Sequence, residues 1–182
     1  MAREMRVVDY DPSWPDRFDE ESSALRDALG EVLVRVHHIG STSVPGLAAK
    51  PVIDVCLEVR ELEALDACDD SMRSLGYVPR GEFGIPGRRY YPKGGEDRTH
   101  HVHAYASGDP LVAKHLAFRD YLRAHPEAAR AYAEIKREAS AKHRTDPDGY
   151  LAHKDEFVRR TIELAMAWRA RCKDTGSEEN GV

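Results

Sequence analysis

Cysteine is scarce in this 182-residue chain: Cys56, Cys68 and Cys172 are the full complement. An odd count with no CxxC pair excludes a closed disulfide framework and fits reduced thiols in a cytosol. Long apolar runs are missing too. No stretch approaches the roughly 20 residues that cross a bilayer. Met1-Ala2-Arg3-Glu4-Met5-Arg6 leads into Val7-Val8-Asp9 and not into the apolar core of a signal peptide. The chain is expected in the cytoplasm, with no membrane partner. Positive charge is not in excess either: 27 Lys and Arg stand against 32 Asp and Glu, a formal net charge of −5. That balance excludes binding of nucleic acid by bulk charge, although a local basic groove is compatible with it.

What is present is a globular composition, 41% hydrophobic and 32% charged, which excludes disorder of the whole chain. The length predicts one domain, able to bury roughly 70% of its unfolded surface without disulfides or a metal. We place it at residues 1–172, with an α/β core over about 6–108 and a helical part over about 109–172. Residues 173–182 read as a polar, disordered tail.

Hydropathy periods place the elements. Two prolines in Tyr10-Asp11-Pro12-Ser13-Trp14-Pro15 mark a turn, and a helix follows over 16–29, stopped at Gly30. A valine-rich strand spans 31–38. The clearest strand is 52–59, with Ile53, Val55, Leu57 and Val59 on one face and Asp54, Cys56 and Glu58 on the other. A helix is predicted over 61–75, an edge strand at best over 77–80, and a hairpin from 88–92 and 99–106. Helices then run over 110–124, 126 to about 144, and about 148 to 171. The fold class is α+β: a mixed sheet with flanking helices and a C-terminal helical layer, not a doubly wound sheet. Strands 32–38, 52–59 and 99–106 should be neighbours, with the apolar face on the helices of 16–29 and 61–75.

Three groups of residues can carry chemistry. Gly40-Ser41 at a strand end can offer backbone N–H groups to a phosphate, and Asp54 on the next strand can hold Mg²⁺, with Lys50 adding a cation. The same residues also make an ordinary tight turn beside a surface strand. In His100-His101-Val102-His103, His101 and His103 share a strand face at a spacing that suits one transition metal or acid–base work. A polar strand face of hydrogen-bonded histidines has the same spacing. Of the helical cations Lys114, Arg119, Arg123, Lys136 and Lys154, interleaved acids make most of them solvated ion-pairing residues, with one or two facing the cleft.

The segment His38-Ile39-Gly40-Ser41-Thr42-Ser43-Val44-Pro45-Gly46-Leu47-Ala48-Ala49-Lys50-Pro51-Val52-Ile53-Asp54-Val55 resembles the signature of the GrpB family. Asp11-Pro12-Ser13-Trp14-Pro15, the stretch from His115 to Arg123, Tyr132-Ala133-Glu134-Ile135-Lys136, and Tyr150 with Lys154 match it as well. The resemblance covers roughly residues 6–170. The family is similar to the nucleotidyltransferase superfamily, and GrpB-like domains also occur fused behind dephospho-CoA kinase.

The superfamily pattern is a Gly-Ser loop, a strand carrying two acids one residue apart, and a third acid on a later strand. Two metals held there orient an NTP for attack on its α-phosphate. Here Gly40-Ser41 matches the loop and Asp54 the first acid. Cys56 stands at the second acid, and His101 and His103 where the third is sought. A thiol is a poor Mg²⁺ ligand, and Glu58 is about 13 Å along the strand. The set Asp54, His101, His103, with Cys56 a possible fourth, suits Zn²⁺, Mn²⁺ or Fe²⁺ better.

The resemblance thus implies Asp54 and His103 as catalytic residues, and Asp54, His101 and His103 as ligands of a divalent metal (Mg²⁺ or Mn²⁺, or a softer transition ion). It implies Gly40, Ser41, Thr42, Lys50, Arg119 and Lys154 as the phosphate-binding set for a nucleotide, such as an NTP, or another phosphorylated small molecule. The helices after residue 110 should form a lid that brings Arg119 and Lys154 to the Asp54 cleft. Two other functions fit the same residues: a nucleotide- or anion-binding module that has lost transferase chemistry, and a transition-metal enzyme of different chemistry using His101 and His103. No oligomeric state is implied.

Overall fold

The structure, a computed structural model, describes residues 4–178, with side chains to Cys172. Helix α1 (Trp14–Leu29) begins two residues before the expected start, because Pro15 falls in the first turn, where its missing N–H costs no intrahelical bond. Strand β1 (Leu33–Ile39) follows, then β2 (Ile53–Val59).

The helix expected over 61–75 is two short ones, α2 (Leu62–Asp66) and α3 (Asp69–Ser74). The chain tightens between them through an i to i+3 bond from Cys68 N to Leu65 O, and Asp69 and Asp70 then sit in the first turn of α3, where the helix dipole favours acids. Leu65 and Met72 both still reach the core.

Strands β3 (Arg89–Lys93) and β4 (His100–Ala106) form the expected hairpin. The 77–80 segment contributes one bridge, Tyr77 to Lys93, and lies along β3 as an irregular edge. Helices α4 (Pro110–Ala124), α5 (Pro126–Lys142) and α6 (Pro147–Glu178) complete the chain. The last helix continues past Lys173, where the sequence predicts a disordered tail to begin. Residues 179–182 of that tail lie outside the described residues.

The four strands form one mixed sheet in the order β1-β2-β4-β3. The β1–β2 and β3–β4 pairs are antiparallel and the central β2–β4 pair is parallel, with Asp54 opposite His101 and Cys56 opposite His103. Period-2 alternation sorts the side chains. Ile53, Val55, Leu57, Val59, Val102, Ala104 and Tyr91 pack on Trp14, Leu25 and Leu29 of α1 and on Leu65 and Met72. This is the packing that the strand pattern predicts.

The second face is not polar throughout. At one end Ile39, Cys56 and Tyr105 are buried under Val112, with Leu111 and Leu116 beside them, and Glu58 pairs with His37 at 2.7 Å. The helical half closes over the 44–48 loop through Leu122, Tyr132 and Ala133. Among the described residues no helix is long and apolar enough to cross a membrane.

Candidate functional site

Asp54 lies near the start of β2, where the antiparallel register sets Ile39 opposite it. The chain must turn there, and Gly40 makes the turn with φ 68°. A Cβ at Gly40 would sit 2.5 Å from Asp54 Oδ2. Only glycine lets the loop pass this close to the carboxylate. Ser41–Ser43 then form a short 3₁₀ turn. Thr42 is buried and its Oγ1 pairs with His38 Nε2 at 2.9 Å, so its side chain stabilises the loop from within. Burial pushes the His38 imidazole down to about 4. Its ring stacks on Phe18 at 4.6 Å.

Parallel pairing puts two imidazoles next to the carboxylate. His101 Nδ1 is 3.2 Å and His103 Nε2 is 3.9 Å from Asp54 Oδ1. Partial burial works to raise the Asp54 carboxyl, but the hydrogen bond to His101 and the nearby His103 imidazole outweigh it and hold the group well below the usual carboxylate range. One ligand atom from each of the three residues lies within 4.8 Å of the others, and His101 Nε2 is buried without a partner. One carboxylate and two imidazoles suit a transition ion better than Mg²⁺, which prefers an all-oxygen shell.

Cys56 does not join this set. It is fully buried in the apolar cluster under α4, and burial pushes its thiol up to about 12. The expectation of a fourth ligand there is corrected: the residue that departs from the superfamily pattern is a packing residue.

A cation that was not among the expected site residues touches the Gly40-Ser41 loop. Lys136 of α5 is 2% exposed, and its Nζ donates to Ser41 Oγ at 2.8 Å and to Ala48 O, over the Tyr132 ring at 4.3 Å. Among the described residues no carboxylate pairs with it. Burial, reinforced by the nearby Lys154 charge, brings its ammonium down to about 6. Burial also lowers Lys154, and the Asp54 carboxylate opposes that shift. Lys50 Nζ lies 4.8 Å over the Tyr150 ring. Lys136 is thus the lysine on the Gly40-Ser41 loop, the charges of Lys50 and Lys154 act on it from nearby, and the Asp54 carboxylate works against the lowering of both Lys136 and Lys154. Sequence reasoning groups Lys136 with helical cations that are mostly solvated, and assigns Arg119 and Lys154 to the cleft. The signal that could have found it is the Tyr132-x-x-x-Lys136 spacing, which sets the amine over an aromatic ring one helical turn away.

Arg119 and Arg123 brace the loop. Arg119 Nη1 donates to His38 O at 3.1 Å and its Nε to Asp120, while Arg123 Nε and Nη2 both donate to Ser43 O. Arg119 is thus bonded to the end of β1 and to Asp120, while the cation in contact with Ser41 is Lys136.

Three more residues at the His103 end escaped the sequence reading. Arg88 is 7% exposed, with Nη1 3.5 Å from His103 Nδ1. Tyr90 stands opposite His103 in the β3–β4 register. His115 bonds the Tyr105 hydroxyl at 3.1 Å, its ring 5.7 Å from that of His103, and burial pushes it down to about 4.

A Gly-Ser turn over a strand carboxylate on a mixed sheet with a helical layer is the nucleotidyltransferase fold. A cytoplasmic RNA terminal U-transferase superposes with TM-score 0.51 at 9% identity, over 75% of this chain and 41% of that one, a likeness of fold alone. Closer comparisons give the family. The GrpB protein model matches residues 4–164, and the chain belongs to the GrpB family. It is similar to UPF0157 protein YqkA of Bacillus subtilis, with 43% identity over 188 residues. That match takes in 98% of this chain but only 55% of YqkA, so the chain spans about half the length of that relative. The crystal structure of conserved protein GrpB from Enterococcus faecalis matches with TM-score 0.87 and 42% identity, covering 90% of this chain and 99% of that one.

Proposed function

We propose that this GrpB-family chain binds the phosphates of a nucleotide, or of another phosphorylated small molecule, between the Gly40-Ser41 loop and the Lys50, Lys136 and Lys154 amines, and that it transfers a nucleotidyl group in a metal-dependent way. The observation that carries this reading is Lys136: a buried lysine that makes no ion pair with a carboxylate among the described residues and is fixed on the Ser41 hydroxyl. A buried cation in this position is costly unless a ligand supplies the opposite charge. Asp54, His101 and His103 would hold a divalent ion, which when bound polarises a phosphoryl oxygen. In the reaction class this supports, an acceptor oxygen bonds to the α-phosphorus as the bond to pyrophosphate breaks. The loop amides and Lys136 bear the phosphate charge, and His103, where it is not a ligand, takes the acceptor's proton.

Cys56 favours a second reading, a binding module without transfer chemistry, because the second acid position holds a buried thiol. A thermal-shift series with ATP and with inorganic tripolyphosphate, each with and without Mn²⁺ and Mg²⁺, tests both readings. Stabilisation by tripolyphosphate that Lys154→Ala removes supports the phosphate site. Dependence of the ATP effect on a divalent ion favours the transferase, and independence favours the module. If neither ligand raises the melting temperature under any condition, the phosphate reading fails.

A further inference from the structure

The loop between the 77–80 edge and β3 is built in a way that the phosphate site does not use. Gly81, Gly84 and Gly87 all have positive φ, and so does Phe83, at 45°. A bulky side chain rarely adopts that conformation, which persists where neighbouring bonds impose it. Those bonds are present. Buried Arg88 donates from Nη2 to Phe83 O at 2.7 Å and from Nε to Glu82 O at 3.2 Å. Gly87 N donates to Glu82 Oε1, and Tyr90 N to Gly81 O. The result is a phenyl ring left 63% exposed, with one face on Tyr90 at 5.1 Å and 21°. Tyr90 in turn packs on His103 at 5.3 Å and on His101 at 5.7 Å, and Arg88 lies 5.1 Å over the Tyr90 ring.

The sheet order gives this ledge its meaning. Ser41, with Lys136 on it, follows β1 at one edge, Asp54 and the histidines are on the central strands, and Tyr90, with Phe83 on it, is on β3 at the other edge. At about 4.8 Å per strand, a ring laid on Phe83 lies within one nucleoside's length of the histidines, across from the phosphates.

We propose that the Phe83–Tyr90 ledge, anchored by Arg88, is the acceptor subsite and takes the planar ring of a nucleoside or nucleotide. Stacking is the chemistry it offers: one free π face, held flat and backed by a second ring and a guanidinium, selects for a heteroaromatic ring over an aliphatic or sugar alcohol. The inference rests on the transfer reading, since without a phosphate donor there is no acceptor.

The test separates the two. Adenosine, guanosine, cytidine and uridine, which carry a ring and no phosphate, and tripolyphosphate, which carries phosphate and no ring, are titrated by NMR into the intact chain and into Phe83→Gly. Glycine accepts φ 45° without strain, so the variant should melt at or above the parent temperature. At least one nucleoside should shift the Phe83 and Tyr90 ring resonances and bind the variant at least ~10-fold more weakly, the loss expected for one base–aromatic stack. Tripolyphosphate should bind both proteins equally. Tyr90→Leu should reproduce the nucleoside loss.

Several results overturn the proposal: no nucleoside shifting those rings, equal nucleoside affinity in the variant, or ATP weakened as much as the nucleoside, which would give the ledge to the donor base. A parent dimer that becomes a monomer in Phe83→Gly would assign the ring to a subunit contact and overturn it as well. Loss of tripolyphosphate binding in the parent protein fails the phosphate reading instead.

Discussion

Gly40 and Asp54 are packed so closely that no side chain fits between them, a Cβ at position 40 falling 2.5 Å from Asp54 Oδ2. The positive φ of Gly40 adds a second objection to any other residue. Gly40→Ala should cost about 1–3 kcal/mol, the range for overpacking, read as a lower denaturation midpoint. It should also weaken metal and phosphate binding together, because the relief available is a shift of the carboxylate or of the loop. A variant that keeps both affinities would show that the loop and Asp54 move independently.

Lys136 makes stability depend on pH with a definite sign. Its folded value of about 6 lies below the ordinary lysine value of 10.5. Between those two pH values the unfolded chain binds more protons, so stability rises with pH across that window. Lys136→Met removes the penalty and should stabilise the protein. The gain is largest below pH 6 and fades towards pH 10.5. At pH 7 we expect a gain on the order of 1–3 kcal/mol after the lost bonds to Ser41 and Ala48 are counted. Chemical denaturation of both proteins at pH 6, 8 and 10 checks this. A gain that grows with pH would contradict the assignment.

The same amine should report ligand charge. A phosphate placed on Ser41 raises the Lys136 value, so binding tripolyphosphate above pH 6 takes up a proton. Calorimetry in buffers of different ionisation enthalpy should return a positive proton uptake in the parent and close to none in Lys136→Met.

The metal preference follows from the donors. Direct titration should rank Zn²⁺ and Mn²⁺ above Mg²⁺. His101→Ala and His103→Ala should each weaken Zn²⁺ binding by at least ~10-fold, and Cys56→Ala should leave it unchanged while lowering the melting temperature. A Zn²⁺ affinity that responds to Cys56 and not to His101 would reverse the placement of these side chains.

Arg123 donates twice to Ser43 O. Arg123→Ala leaves that carbonyl without its partners and should cost about 1–3 kcal/mol. Because this residue positions the loop and is not argued to touch the phosphate, Arg123→Lys should restore part of the phosphate affinity that the alanine variant loses.

Period-2 patterns were legible. Asp54, His101 and His103 could be assigned to one sheet face from sequence because strands alternate strictly, and their meeting needed only that β2 and β4 be neighbours. The helical cations were not legible in the same way. A lysine among glutamates reads as solvated, and nothing local to Lys136 says that α5 turns this residue onto Ser41, a contact made across 95 residues. Arg119 shows the same limit: its charge pointed to phosphate, and nothing local in the sequence says that its guanidinium also donates to His38 O at the end of β1. The Phe83 loop was hidden by its own composition, since glycines and a proline announce a turn but not the direction of the one large ring within it. The break between α2 and α3 leaves no mark in periodicity because Leu65 and Met72, two turns apart, keep the same face.

The parallel pairing of β2 with β4 has a consequence for when the site comes into being. Asp54 meets His101 across 47 residues and Ser41 meets Lys136 across 95, so no short fragment of the chain contains these contacts. Such separations carry loop-closure entropy that is repaid only when the whole chain docks. A nascent chain emerging from the ribosome holds the Gly-Ser turn and Asp54 early, but it lacks the Lys136 contact with Ser41 until α5 has been made. If phosphate binds as proposed, its binding should read out completed folding and stabilise all of the molecule at once.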